Sequence, residues 1–233
     1  RPELTHDQER VWEKINASLL AVQQGHVPPP ILLHGVTGSG KTELYLRAVE
    51  NTLKQGKGAL ILVPEISLTP QTIQRFSSRF PNKVGVMHSQ LSEGERYDTW
   101  RRVRQGDLPV IIGPRSALFA PMPGIGLIVV DECHQETYDQ QESAPYYRGA
   151  DTAVACARLS GAVIILGSAT PQVTQYFQAV SGSWVYLGLP KRILAHREAI
   201  ARHANQLGMT LPVKLGEGKT AELGLPQVKI IDM

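Results

Sequence analysis

The segment Ile31-Leu32-Leu33-His34-Gly35-Val36-Thr37-Gly38-Ser39-Gly40-Lys41-Thr42-Glu43 passes from an apolar run through a glycine-rich turn into a helix-forming stretch. Gly35–Thr42 satisfies G-x-x-x-x-G-K-[ST], and it stands where that pattern has meaning, after a strand and before a helix. Glycines let the backbone curl until successive N–H groups point at phosphate oxygens, and the start of the helix adds partial positive charge. Gly35, Thr37, Gly38, Ser39 and Gly40 then form the cradle, Lys41 reaches the β- and γ-phosphates of ATP, and the Thr42 hydroxyl is a Mg²⁺ ligand. The alternative is a chance glycine-rich turn, which average residue frequencies make about a 1% event in a chain of this length.

Four more apolar runs lie downstream: Ala59–Val63, Val110–Ile112, Leu127–Val130 and Ala162–Leu166. None alternates with polar residues, which is how strands covered on both faces of a parallel sheet read. Between them lie the helix-like stretches Glu43–Gln55, Thr69–Phe80, Ser92–Gln105 and Asp151–Leu159. Alternating strands and helices predict an α/β fold with a doubly wound, mostly parallel sheet. An amphipathic helix over about His6–Gln24 is expected to pack outside it, stopped by Pro28-Pro29-Pro30. After Leu189 the character changes. Lys191–Leu207 reads as a basic helix carrying Arg192, Arg197 and Arg202; Pro212, Gly216, Gly218, Gly224 and Pro226 then break regularity before a strand-like Val228–Ile231. The expected organisation is a nucleotide-binding lobe over 1–189, a basic and partly mobile appendage over 190–226, and the start of a strand or linker over 227–233.

Composition bounds the function. With 233 residues, 42% hydrophobic and 19% charged, the chain is no disordered polymer. The net charge of +3 does not by itself announce a nucleic-acid partner. Seventeen of the 24 Lys/Arg and 17 of the 21 Asp/Glu fall within residues 1–189, so the whole excess belongs to the appendage. Cys133 and Cys156 are too few for a metal quartet or a disulfide framework and suit a reducing cytoplasm. No apolar run approaches the roughly 20 residues that cross a bilayer, so no membrane is expected. The chain begins at Arg1 without Met or signal peptide and reads as a fragment.

Two further strand ends carry chemistry. Leu127–Val130 runs into Asp131-Glu132-Cys133-His134. Beside a phosphate loop, Asp131 would hold Mg²⁺ largely through water, and Glu132 would orient and deprotonate the attacking water. Solvated acids at a strand end are the alternative, and His134 alone is an ordinary surface histidine. Gly167-Ser168-Ala169-Thr170-Pro171 follows the last run, where Ser168 and Thr170 either sense the Glu132 and His134 region or form a plain Ser/Thr turn.

This order of motifs resembles the first RecA-like lobe of superfamily 2 helicases, and in particular the bacterial replication-restart DNA helicases. The likeness rests on Gly35–Glu43, Val63–Gln71, His88-Ser89 with Gly94-Glu95-Arg96 through Trp100, and Gly113–Pro121. It covers about residues 3–189 and resumes at Leu225–Met233. It implies a three-layer P-loop fold and an ATP-dependent 3′-to-5′ DNA helicase acting at stalled forks in primosome assembly. Gln8, beside Leu4-Thr5, would read adenine. Ser67, Thr69, Arg115 and Ser116 would touch the phosphate backbone of single-stranded DNA, contacts that position without reading sequence; turn and cap roles are the alternative. Tyr138, Gln141, Tyr146, Tyr147 and Arg148 resemble the aromatic-rich loop that couples DNA occupancy to hydrolysis, with ring stacking on bases as its means. Arg96, Arg101, Arg102 and Arg104 form a basic cluster that is more simply a solvated helix face. Forked and single-stranded DNA, replication-restart proteins and single-stranded-DNA-binding protein are the partners implied.

The chain also departs from the family. Cys133 stands where a second acid is common, while Asp131, Glu132 and His134 remain. A second motor lobe with an arginine finger, worth roughly 10³–10⁵ in rate, and a zinc-binding domain are implied for a full-length member, and this chain has room and cysteines for neither. The isolated chain is therefore expected to bind ATP but to hydrolyse it poorly. Two other classes fit the same motifs: another superfamily 2 translocase, and a nucleotide-dependent DNA-binding switch without processive hydrolysis.

Overall fold

The computed structural model describes residues 2–142, 144–196 and 220–223. Helix α1 (His6–Gln23) opens with a reciprocal cap in which Thr5 and Gln8 exchange side-chain and backbone bonds. Strand β1 (Ile31–Gly35) then leads through the glycine-rich turn into α2 (Lys41–Lys54). Next come β2 (Gly58–Leu62), α3 (Pro70–Arg79), β3 (Val84–Val86), α4 (Glu93–Gln105), β4 (Val110–Gly113) and β5 (Ile125–Asp131). A short antiparallel pair, β6 (Asp139–Gln140) and β7 (Tyr147–Arg148), precedes α5 (Gly149–Ser160), β8 (Val163–Ser168), α6 (Val173–Val180) and β9 (Val185–Leu189).

Seven strands form one sheet in the order β3-β4-β2-β5-β8-β1-β9, with every pairing parallel. The five predicted runs occupy its centre, each slightly shifted at its ends. Their lack of alternation has the expected cause. Ile31, Leu33, Ile61, Val129 and Ile165 face one layer with α1, α2 and α3, while Leu32, Leu60, Val130, Ile164 and Leu166 face the other with α5. Every one of these side chains is almost wholly buried, and burying a side chain of this size contributes about 1.5–3 kcal/mol. The fold is a three-layer RecA-like α/β/α sandwich.

The strands at the two edges, β3 and β9, and the helix α6 were not predicted. Val84–Val86 is only three residues long, and Val185–Leu189 carries Gly188 and an exposed Tyr186 on an open edge. A single covered flank leaves too weak an apolar signal.

The expected basic helix at Lys191–Leu207 needs correction. Arg192–His196 is a strand, β10, paired antiparallel with β11 (Thr220–Leu223). The Ile193 amide donates to the Gly38 carbonyl at 2.9 Å and Lys191 pairs with Asp7 at 3.7 Å. Pairing with β11 holds this backbone extended, and its Ile193 amide meets the phosphate loop. The rest of the expected helix, with Arg197 and Arg202, and the strand-like Val228–Ile231 lie outside the described residues. No helix among the described residues is long and apolar enough to cross a membrane.

Candidate nucleotide-binding site and adjoining groove

In a parallel sheet the functional edge is the one at the carboxyl ends of the strands. Here β1, β5 and β8 end side by side at Gly35, Asp131 and Ser168. The turn after β1 is held open by Gly38 and Gly40 at φ 80° and 82°, a region disfavoured for side-chain-bearing residues. Among the described residues nothing lies within 4 Å of the position a Cβ on Gly38 would take. The Ser39 hydroxyl is buried without a hydrogen-bond partner among the described residues, as suits a group that meets a ligand. Lys41 is folded back, its Nζ donating to the Gly35 carbonyl at 2.7 Å and lying 3.7 Å from a Glu132 oxygen. Thr37, Thr42, Asp131 and Glu132 line the same cleft. A glycine-lined cradle, a buried hydroxyl, a lysine and two acids fit a nucleoside triphosphate with its divalent cation.

Gln8 is brought to the loop from α1. It is buried, its Nε2 donates to the Ser39 carbonyl at 3.1 Å, and its Oε1 accepts from the Thr5 amide. Glu43, the first acid of α2, is held by Arg47 at 2.9 Å and Arg79 at 3.8 Å.

The acids emerge from β5 in unlike surroundings. Burial and the neighbouring Glu132 charge push the Asp131 carboxyl above its ordinary pKa, while a bond from Tyr45 and the charge of Lys41 act the other way. Glu132 has a left-handed backbone, φ 49°, uncommon for a residue with a side chain. Its carboxylate lies 3.5 Å from His134 Nδ1, which shares a 2.8 Å hydrogen bond with Ser168 Oγ. That hydroxyl also accepts from the Thr170 amide at 2.9 Å. The third motif thus reaches the second through one buried serine.

Three residues of this constellation were not found in the sequence. Tyr45 of α2 donates its hydroxyl to Asp131 Oδ1 at 2.9 Å. Gln172 and Gln175, at the start of α6, donate to the carbonyls of His134 and Cys133 at 3.3 and 3.2 Å. The Cys133 thiol donates to Gln175 Oε1 at 3.4 Å. The departure at 133 therefore fills a buried pocket rather than a catalytic position.

A groove of about 970 Å³ runs beside this cleft along the same sheet edge. Its wall includes Pro64–Ile66, His88-Ser89, Arg96, Arg115, Ser116 and Gln141. Ser67 and Thr69 lie just past this wall, and Thr69 is a helix cap, its Oγ1 accepting from the Thr72 amide. Arg115 donates to the carbonyls of Thr137 and Asp139, at 3.4 and 2.5 Å.

Tyr138, between those carbonyls, corrects the base-stacking expectation. It is 1% exposed, and its hydroxyl donates to the Asp131 carbonyl at 2.6 Å. Its ring lies in the buried apolar layer with Leu118, Val130 and Ala153, away from a surface on which a base could stack. Tyr146 is exposed and Tyr147 half-buried, edge-on to Phe119 at 5.5 Å. Arg148 is exposed and pairs with Asp151 at 3.6 Å.

Fold and cleft together define a nucleotide-dependent helicase lobe. Residues 5–178 match the DEAD/DEAH box helicase family, and the chain belongs to it. Among curated relatives it is similar to the replication restart protein PriA. Identity is 47% over 197 residues with the protein of Chlamydia pneumoniae, covering 84% of this chain and 26% of that protein. It is 44% over 190 residues with that of Bacillus subtilis, covering 82% and 23%. The chain thus spans about a quarter of these relatives' length. Solved structures share the fold: RecG bound to a three-way DNA junction (TM-score 0.58, 21% identity, 81% of this chain and 24% of that one) and the Hef helicase domain of Pyrococcus furiosus (0.51, 21%, 88% and 36%).

Proposed function

We propose that this chain is the ATP-binding motor lobe of a 3′-to-5′ DNA helicase that acts at stalled replication forks to restart replication. The observation that carries this is one sheet edge holding a phosphate cradle, an acid pair and a neighbouring groove, joined by hydrogen bonds from Arg115 through the Tyr138 segment to Asp131. The PriA relatives supply the biological setting, with single-stranded and forked DNA, restart proteins and single-stranded-DNA-binding protein as partners. Zinc belongs to other regions of such a protein.

In this mechanism Gln8 reads the adenine edge and at the same time braces the loop. The amides of Gly38, Ser39 and Gly40 take the phosphates, and Lys41 leaves the Gly35 carbonyl for the β- and γ-oxygens. Thr42 and Asp131 would hold Mg²⁺, which when bound neutralises charge spread over the transferring phosphoryl oxygens. Glu132 orients the attacking water and removes its proton. His134, bonded to Ser168, relays the state of that site to the strand end carrying Thr170. Ser67, Thr69, Ser116, Gln141, Tyr146, Tyr147 and Arg148 meet the DNA backbone and bases, while Arg115 and Tyr138 report occupancy.

The test is a pair of variants in the full-length protein. Glu132→Gln is expected to bind ATP normally and to lose about 10²–10⁴-fold in DNA-dependent turnover, and Lys41→Ala to lose ATP binding itself. Unchanged turnover in the first would remove the helicase assignment and favour a switch. Unwinding of 3′-tailed but not 5′-tailed partial duplexes checks direction; equal unwinding of both would point to another superfamily 2 translocase. Residues 1–233 assayed alone are expected to hydrolyse ATP at least about 10³-fold more slowly than the full-length protein, read as turnover with single-stranded DNA.

A further inference from the structure

We infer that Tyr45 is a positioning residue for Asp131, fixing the carboxylate in the orientation that serves the cation of the bound nucleotide, and that residue 167 is glycine to seat the Tyr45 hydroxyl. The inference rests on the metal role proposed for Asp131.

Tyr45 lies one turn beyond Thr42 on α2, at 1% exposure in the layer beneath the phosphate loop. Its hydroxyl crosses to the end of β5 and donates to Asp131 Oδ1 at 2.9 Å. Asp131 and Gly167 are register partners of β5 and β8. A Cβ built on Gly167 would lie 1.8 Å from the Tyr45 oxygen, 3.0 Å from Cζ and 3.3 Å from Asp131 Oδ1. Gly167 does not have a positive φ, so backbone conformation does not demand glycine there. The phenol does, because it occupies the volume of a side chain at 167.

A phenylalanine at 45 would bury the same ring without calling for an acid or a gap in β8. The hydroxyl ties one carboxylate oxygen of Asp131 to the helix that begins at Lys41 and Thr42. Phosphate loop and acid are thereby tied together, which would suit Thr42 and Asp131 to hold one cation. Groups that orient a metal-holding side chain typically affect metal affinity about 10–100-fold.

The experiment measures the affinity of a fluorescent ADP analogue for the full-length protein in EDTA and across a Mg²⁺ titration. Tyr45→Phe is expected to keep the metal-free affinity within about 2-fold while the Mg²⁺ concentration for half-maximal strengthening rises about 10-fold. Gly167→Ala displaces the hydroxyl by sterics alone and is expected to shift the titration in the same direction. Asp131→Asn should abolish the Mg²⁺-dependent part. A tyrosine that merely fills the core predicts a lowered melting temperature with an unshifted titration, and that result overturns the inference. If Gly167→Ala alone leaves the titration unshifted, the role of the glycine falls. If Asp131→Asn also titrates like wild type, the metal assignment itself is wrong and this inference falls with it.

Discussion

Cys133 sits between the two acids of the site and the histidine, yet its chemistry is that of a packed core atom. It is 2% exposed, and burial followed by the charges of Asp131 and Glu132 pushes its thiol up to about 12. A thiol that far above neutral pH presents almost no thiolate, which is the reactive form. Iodoacetamide at pH 8 is therefore expected to alkylate the partly exposed Cys156 and to leave Cys133 unmodified until the protein unfolds, as read by peptide mass spectrometry. Rapid labelling of Cys133 in the folded protein would contradict its burial. Glu132, one residue earlier, shows a different departure from the ordinary. Its left-handed backbone stores about 1–3 kcal/mol, and strain of this kind is sustained by surrounding packing. Glu132→Gly should relieve it and raise urea resistance by about 1 kcal/mol, while ATP turnover is lost. A drop in stability would show that the ion pair to Lys41 outweighs the strain.

At the scale of elements, α6 is the least expected and the most tightly tied to the acids. Its two N-terminal glutamines bond the backbone of Cys133 and His134, and its apolar positions Val173, Tyr176, Phe177 and Val180 are exposed. Val173, Tyr176, Phe177 and Val180 keep the i, i+3, i+4, i+7 spacing of a helix, but that stripe faces outward, and the buried side offers Gln175 and the small Ala179. Gln175→Leu keeps the volume but removes the donor to a buried carbonyl, so it should cost about 1–3 kcal/mol in denaturant unfolding. The central strands were plainly legible because each is covered on both faces and reads as an unbroken apolar run. The edge strands were not, since each is covered on one flank only. The segment after Leu189 misled because its charge and spacing suit a helix, whereas its backbone is spent on the phosphate loop through Ile193 and Gly38.

For the whole molecule the question is how the groove and the nucleotide cleft communicate. Arg115 grips the carbonyls on either side of Tyr138, whose hydroxyl grips the carbonyl of Asp131. A shift of Arg115 toward a DNA phosphate would release one end of that chain. Couplings between sites usually amount to about 1–3 kcal/mol, or 5–150-fold. Arg115→Ala is accordingly expected to cut DNA stimulation of ATP turnover about 5-fold or more, measured as turnover against single-stranded DNA concentration. Both bonds come from one nitrogen, Nη1, so Arg115→Lys, whose ammonium can also donate more than once, should restore part of it. Full stimulation in Arg115→Ala would dismiss the route.

The sequence alone determined the phosphate loop, the acid pair, the parallel α/β sheet and the kinship with replication-restart helicases. Each of these is local: spacing along a few consecutive residues, or an apolar run whose burial follows from its composition. Tertiary structure alone decided which side chains surround the acids. Tyr45 and Asp131 are 86 residues apart, Gln175 and Cys133 are 42, and the gap at Gly167 has meaning only beside the hydroxyl that fills it. Tyr138 makes the same point in reverse, since an aromatic in a polar loop reads as a surface ring until the fold turns it into the core. Pairing partners across strands depends on sheet order and register, which no short window of sequence contains.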